Sequence, residues 1–249
     1  MRVAIIADIH GNQLAFEAVL HDLKKQPAVD QLIIAGDLCL NGPQPREVLR
    51  TVKALHCPVI QGNVDQEVAT PPGTGPKKHD IIHWTREQIG RKGVEYLASL
   101  PFSYRVTNPY GSDLLIVHAN PLNLEDAIFP TSPDSMLEHL LGGLEPTIGV
   151  LAFGHLHIAY TRRWGHLLLV DTGSCGLPRD EDQRAAYAIL TCENNLWQAE
   201  HRRVEYDVKA VVKQLKTCGI PHAEKRIRIL TAATYAENGS TEHVGKKKP

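Results

Sequence analysis

Seven side chains with oxygen or nitrogen donors stand at the ends of five short segments: Asp8-Ile9-His10, Gly36-Asp37, Gly62-Asn63, Val117-His118 and Gly154-His155-Leu156-His157. Four of the segments directly follow an apolar, β-like run (VAIIA, LIIA, LLIV and VLAF), and Gly62-Asn63 follows the shorter PVIQ. Strand ends that lie far apart in a chain converge on one edge of a sheet, where ligands of open α/β sheets collect. Seven such donors gathered there would hold two divalent metals. Carboxylate, carboxamide and imidazole donors suit manganese, iron, zinc or cobalt better than calcium or a thiolate-selected metal. Asp8 and His10 are two apart, as are His155 and His157, a spacing that puts side chains on one face of a strand. Glycine before Asp37 and Asn63 allows close backbone approach. Any one of these histidines alone is more often a satisfied polar residue than a ligand. Their ordered occurrence at successive strand ends carries the metal reading.

The elements that must position these residues are legible from hydrophobic spacing. Val3–Ala7 is a continuous apolar run, as in a strand buried on both faces. Leu14 to Leu23 has helical spacing, Leu32–Ala35 is a second strand, Pro45–Leu55 a second helix with proline in its first turn, and Val59–Gln61 a third strand. This β-α-β-α-β opening predicts a parallel, doubly wound sheet core. Pro71 to Lys78 is a loop by composition, and Thr85 to Leu100 an amphipathic helix. Strands return at Leu114–Val117, Val150–Phe153, Leu167–Asp171, Ala186–Leu190 and near Trp197–Val204, with the alternation of antiparallel or mixed sheets. Asp207 to Leu215 reads as a closing helix with Asp207 as N-cap. Two packed sheets flanked by helices fit this pattern better than one open sheet. We expect a single domain over 1–231 and a disordered polar tail over 232–249.

The chain of 249 residues is 43% apolar and 22% charged, ordinary for a globular protein with a substantial core. Its formal net charge of −1 and the lack of a basic stripe or aromatic stacking run weigh against nucleic acid as a partner. The run Lys246–Lys248 reads as a solvated end. Five widely spaced cysteines without a CxxC pair argue against a disulfide framework and fit a reducing compartment. No secretory signal or membrane-length apolar run is evident, so we expect a cytoplasmic protein without a membrane partner.

Taken together, Asp8-x-His10, Gly36-Asp37, Gly62-Asn63-x-Asp65, His118 and Gly154-His155-x-His157 resemble the motifs of the calcineurin-like metallophosphoesterases over roughly residues 1–190. The stretches Gly42–Val48, Trp84–Gln88 and Gly173–Asp180 resemble the small bacterial and archaeal phosphodiesterase branch of that superfamily. The resemblance implies a four-layer α-β-β-α sandwich of two mixed β-sheets flanked by helices. It implies two divalent transition metals, with manganese foremost and iron, zinc, nickel or cobalt as alternatives. One metal would take Asp8, His10, Asp37 and His157; the other would take Asp37, Asn63, His118 and His155, so that Asp37 bridges. A shared carboxylate suits cations ~3.5–4 Å apart, between which a hydroxide of lowered pKa can attack phosphorus in line. Asp37, Asn63 and His118 would thus serve catalysis as well as metal binding, on a phosphate-ester substrate, nucleotide-like or aryl.

The chain departs from the family pattern at one position. Where many members have histidine after Gly-Asn, it has Val64, which can neither donate a proton nor form a hydrogen bond. General acid help is worth roughly 10²–10⁴-fold. We therefore expect good leaving groups, or an acid borrowed from His79 or His83 in the following segment. Asp65 is expected either to orient a ligand or to cap its loop, Asn12 to be a helix N-cap in preference to a phosphate contact, and Asn120 to face the substrate or shape its loop. Arg46, Arg86 and Arg179 could reach a phosphate, with a solvated or salt-bridged role as the simpler reading for each. The expected activity is a phosphodiesterase. A phosphomonoesterase or protein phosphatase is the nearest alternative, a non-catalytic scaffold of the same fold a more distant one, and a homo-oligomer is compatible with either.

Overall fold

A computed structural model describes residues 1–70, 79–109 and 111–235. In chain order the elements are β1 (Arg2–Ile6), α1 (Gln13–Leu23), β2 (Gln31–Ile34), α2 (Pro45–Ala54), α3 (Asn63–Ala69), α4 (His79–Ala98), β3 (Ser103–Val106) and β4 (Asp113–Val117). There follow α5 (Asp134–Leu141), β5 (Ile148–Phe153), β6 (Tyr160–Trp164), β7 (Leu167–Asp171), β8 (Ala185–Glu193), β9 (Leu196–Val204), α6 (Val208–Thr217) and α7 (Ala223–Ala232).

The period-2 alternation of strand side chains sorts the buried residues into layers. In β1, Ala4 and Ile6 face one cluster, shared with α1, α2, α4, α6 and α7, whereas Val3 and Ile5 face another. That second cluster also takes Leu114 and Ile116 of β4, Val150 and Ala152 of β5, and Leu168 and Val170 of β7, so it is the layer between two sheets. The opposite faces of β5 and β7, with Leu151, Phe153, Leu167 and Leu169, pack on α5 through Leu137, Leu140 and Leu141. The result is a four-layer α-β-β-α sandwich, as the sequence implied. Both sheets are mixed. The first has order β2-β1-β8-β9, with only β1 and β2 parallel; the second has order β3-β4-β5-β7-β6, with β4, β5 and β7 parallel.

Several expectations need correction. The sheet begun by β1 and β2 is not doubly wound, because β8 and β9 complete it antiparallel. The expected third strand, 59–61, is reduced to a bridge between Ile34 and Val59. Pro58 has no amide proton to extend the ladder, and the Gln61 N–H turns away to the Pro101 carbonyl (2.8 Å). The helix expected from Thr85 begins earlier and is broken at Gly90, whose φ of 67° is left-handed. The tail does not leave the fold at 232. Ala232 ends α7, the Glu181 N–H donates to the Ala233 carbonyl (2.7 Å), and Thr234 pairs with Asp180. The rest of the expected tail, 236–249, and the expected 71–78 loop lie outside the described residues. No helix among the described residues is long and apolar enough to cross a membrane.

Candidate metal centre

The parallel strands β1, β2, β4 and β5 deliver their C-terminal residues to one place. Asp8 and His10 follow β1, Asp37 follows β2, His118 follows β4, and His155 and His157 follow β5. Asn63 arrives differently, as the first residue of α3. All seven expected donors come together, and six are buried, with only His155 partly open.

They form two overlapping groups. In the first, His10 Nε2 lies 3.0 Å from His157 Nε2, 3.6 Å from Asp37 Oδ2 and 3.9 Å from Asp8 Oδ1, and His157 Nε2 lies 3.3 Å from Asp8 Oδ1. One donor atom from each of Asp8, His10, Asp37 and His157 lies within 4.8 Å of every other. In the second, His118 Nε2 lies 3.1 Å from Asn63 Oδ1 and 3.4 Å from Asp37 Oδ1, and His155 Nδ1 lies 3.3 Å from Asn63 Oδ1. Asp37 presents one oxygen to each group.

The histidine tautomers decide what these short distances mean. His10, His118 and His157 each direct Nδ1 at a backbone carbonyl, those of Leu40 (2.9 Å), Ala35 (2.9 Å) and Leu177 (2.6 Å). A carbonyl only accepts, so each Nδ1 carries a proton and Nε2 faces inward, with a free lone pair whenever the ring is neutral. His155 is reversed: its Nε2 donates to the Glu125 carbonyl (2.9 Å), leaving Nδ1 inward. Lone pairs of His10 and His157 therefore meet at 3.0 Å, and Asp8 Oδ1 is buried beside them without a hydrogen-bond partner. Acceptors face acceptors, a contact that a shared cation would relieve. The donor set fits divalent transition metals, and the carbonyl-anchored imidazoles have the outer support that metal-ligating histidines show.

Electrostatics agree. Burial would raise the Asp37 carboxyl, but His118 and His10 hold it well below its usual range. Burial alone would lower the His118 imidazole, but Asp37 and then Asp8 push it up to about 10. Burial and the neighbouring His157 take His10 down to about 4. Without metal, the Asp37 carboxylate 3.4 Å away thus favours the protonated form of His118.

The backbone is bent to make this possible. Asp8, His10, Asp37, His155 and His157 all have left-handed φ values between 49° and 68°. Non-glycine residues tolerate that region only where surroundings over-determine it, and such strain gathers at functional sites. Two glycines permit the approach. A Cβ on Gly62 would lie 2.1 Å from Asp37 Oδ1, and one on Gly154 would lie 2.4 Å from Asp8 Oδ2.

The remaining expected residues separate cleanly. Asp65 accepts from the N–H groups of Asp37 (2.8 Å), Leu38 (2.9 Å) and Gly62 (3.0 Å), tying the Asp37 turn to the start of α3. Asn12 caps α1, accepting from the Ala15 N–H (3.2 Å) and donating to the Gly176 carbonyl (2.9 Å). Asn120 is buried and shapes its loop, accepting from the Leu122 and Asn123 N–H groups and donating to the Asp126 carbonyl. His83 is not brought to the site: its side chain is 69% exposed and sits 3.5 Å from Glu87 on α4. It is not among the described residues that line the cavity over the centre. The side chain of His79 lies outside the described residues. Arg46 donates to the Gln88 carbonyl and Arg86 to the Val68 and Thr70 carbonyls, so both tie helices and loops together.

A cavity of about 610 Å³ opens over the centre, lined by His10, Asp37, Asn63, Val64, His155 and His157. That size suits a nucleotide-sized ligand. Val64 contributes an apolar wall, while its N–H donates to Asp37 Oδ1 (3.1 Å). Sequence reasoning missed a second set of lining residues, His222, Lys225 and Arg226 of the α7 region and Tyr235 after it. The amphipathic spacing of Ile227 and Leu230 amid basic residues is the signal that could have found them.

The chain and its fold match known proteins. The model of the calcineurin-like phosphoesterase superfamily domain matches residues 1–195, so the chain belongs to that superfamily. An uncharacterized protein of Methanocaldococcus jannaschii is 29% identical over 245 residues, covering 88% of this chain and 93% of that protein. A metallophosphoesterase structure from Sphaerobacter thermophilus superposes with a TM-score of 0.77 at 26% identity, over 94% of this chain and 100% of that one. A hypothetical protein of Pyrococcus horikoshii superposes with a TM-score of 0.80 at 26% identity, over 94% and 99% of the two chains. The symmetrical bis(5'-nucleosyl)-tetraphosphatase of Erwinia tasmaniensis is 33% identical over 105 residues, only 35% of this chain and 38% of that enzyme.

Proposed function

We propose that the chain is a two-metal-dependent phosphodiesterase. The observation that carries this reading is the pair of inward-facing donor groups sharing Asp37, with lone pairs opposed at 3.0 Å between His10 and His157, and His118 Nε2 3.1 Å from Asn63 Oδ1 in the second group. Asp8, His10, Asp37 and His157 would hold one divalent cation, and Asp37, Asn63, His118 and His155 the other. Bound there, the two cations supply an acidified water as nucleophile and neutralise charge on the phosphoryl oxygens. Manganese is the metal we put foremost for the mixed carboxylate, amide and imidazole set, with iron, zinc, nickel or cobalt as alternatives.

The residues of this chain do the rest. Four backbone carbonyls fix the imidazole rings, and Asp65 fixes the turn that carries Asp37. Val64 keeps an apolar surface where a proton donor would otherwise stand, so the leaving group must depart with little help. That favours nucleotide or aryl leaving groups over alkyl alcohols, and diesters over simple monoesters. A nucleotide-like substrate also accords with the partial similarity to bis(5'-nucleosyl)-tetraphosphatases.

The test is turnover of bis(4-nitrophenyl) phosphate and of 4-nitrophenyl phosphate by manganese-loaded protein. We expect the diester to be hydrolysed faster, and Asp37→Asn to lose at least about 10²-fold, as expected when a group stabilising transition-state charge is removed. Faster monoester turnover would overturn the diesterase preference, and undiminished activity of Asp37→Asn would overturn the metal reading.

A further inference from the structure

The cavity holds more positive charge than one phosphodiester requires. Arg179, Lys225 and Arg226 line it, whereas its lining carboxylates among the described residues are Asp37 and Asp80. Asp37 belongs to the donor groups already described, and the exposed Asp80 lies 3.8 Å from His222. Both arginines carry a buried Nε with no hydrogen-bond partner among the described residues. Burial lowers the pKa of Arg226, with no carboxylate among the described residues opposing it. The Arg179 guanidinium rests 5.5 Å from the centroid of the Tyr235 ring.

These cations are held in place. The backbone N–H of Arg179 donates to the carbonyl of His157 (3.0 Å), one residue of the donor groups, which fixes where the side chain starts. Helix α7 buries Leu230 and packs Ile227 and Ile229 on the core that α1 and α2 share. Its C-terminal end is pinned by the Glu181–Ala233 hydrogen bond and the Asp180–Thr234 bridge. A half-buried guanidinium without a counter-ion is costly unless an anion completes it, and its planar fork matches the non-bridging oxygens of a phosphate. A phosphodiester carries one negative charge, which two divalent cations already meet. Three further cations in the same cavity call for more negative charge on the same molecule.

We propose that Arg179, Arg226 and Lys225 form a second phosphate subsite, which takes a phosphoryl group joined through a phosphoanhydride to the one at the metal centre. Resting on the phosphodiesterase reading, this assigns the substrate class: esters of an oligophosphate chain. Arg179 and Arg226 grip the distal phosphate, and Lys225 adds attraction from the exposed face of α7.

The experiment compares binding of orthophosphate and of diimidotriphosphate, a hydrolysis-resistant three-phosphorus chain, to metal-loaded protein by calorimetry, with free manganese in excess of either anion. Wild-type protein is expected to bind the longer anion at least tenfold more tightly. Arg226→Gln and Arg179→Gln should each reduce that preference about tenfold, and Lys225→Gln, an exposed change that does not threaten folding, about threefold. Arg228→Gln, on the exposed face of α7 outside the cavity, should keep it. Equal wild-type affinity for the two anions, or an unchanged preference in Lys225→Gln together with whichever arginine variants fold, overturns the subsite. Hydrolysis of bis(4-nitrophenyl) phosphate is measured on the same wild-type sample. Turnover without the anion preference defeats the subsite alone, whereas the preference without turnover defeats the phosphodiesterase reading and leaves an anion site.

Discussion

At the scale of single residues, Asp65 and His118 carry the most checkable consequences. Asp65 spends both oxygens on three backbone N–H groups, so Asp65→Asn must set an amide NH₂ against at least one of them. A buried donor left facing a donor costs about 1–3 kcal/mol, and loss of an outer support lowers metal affinity roughly 10–100-fold. Chemical denaturation and a manganese titration should show both losses. His118, pushed up to about 10, keeps its extra proton at pH 7 in metal-free protein. Because that pKa is raised, the stability it lends the metal-free fold is present below pH 6.5 and is lost as pH rises through about 10. Metal must displace this proton, so manganese binding at pH 7 should release about one proton, and affinity should rise with pH up to about 10. Calorimetry in buffers of different ionisation enthalpy checks the count, and no release would contradict it. Val64→His should raise turnover of alkyl diesters relative to aryl ones, read from the leaving-group dependence of the rate, because it restores a donor where the wall is now apolar. The donors themselves were legible in the sequence, since each is an unusual polar residue closing an apolar run. The tautomers were not, because the carbonyls of Ala35, Leu40, Glu125 and Leu177 that fix them belong to other segments of the chain.

At the scale of elements, the centre is a meeting of strand ends held apart by glycine-sized gaps. Gly62→Ala would place a methyl 2.1 Å from Asp37 Oδ1 and 2.4 Å from the Asp37 nitrogen, and neither can retreat without moving the donor shared by both groups. We expect activity to fall by about 10²-fold or more, the scale of a 1 Å misplacement at a reacting centre, with metal content falling alongside; elemental analysis of the purified variant checks the second part. Strands β1, β2, β4, β5 and β7 were readable because they are buried on both faces and their apolar runs are continuous. Strand β6, Tyr160–Trp164, was not: it is an edge strand whose three middle residues, Thr161, Arg162 and Arg163, are polar, so it has no apolar run. Helix α3 was hidden for a different reason. It starts at Asn63 itself, inside the motif, and Asp65 does double duty as its capping side chain. Helix α7 interleaves its three strongly apolar residues, Ile227, Ile229 and Leu230, with Lys225, Arg226 and Arg228, so its role as a cavity wall emerges only from packing.

At the scale of the whole molecule, two sheets place four parallel strand ends on one rim, and the helical layer beyond the first sheet extends α7 over it. Metal held as proposed would tie β1, β2, β4, β5 and α3 together, so its removal should be felt globally. A ligand at 100 times its dissociation constant adds ~2.7 kcal/mol, and each kcal/mol moves the midpoint about 2–4 °C in a domain of this size. Chelation should therefore lower the melting temperature by about 5–11 °C per site filled to that level, followed by calorimetry, and readdition of manganese should restore it. The four-layer architecture was implied by the resemblance of the motifs, while the partner order within each sheet depends on β8 and β9 returning beside β1, a long-range pairing that no local pattern encodes. The central claim is that one shared carboxylate unites two donor groups into a single hydrolytic centre. Its most direct test is a titration of metal-free protein with manganese, following bound metal and hydrolysis of bis(4-nitrophenyl) phosphate together. Activity that rises to its maximum only as the second equivalent binds is the predicted result; full activity at one equivalent, or none at two, would contradict it.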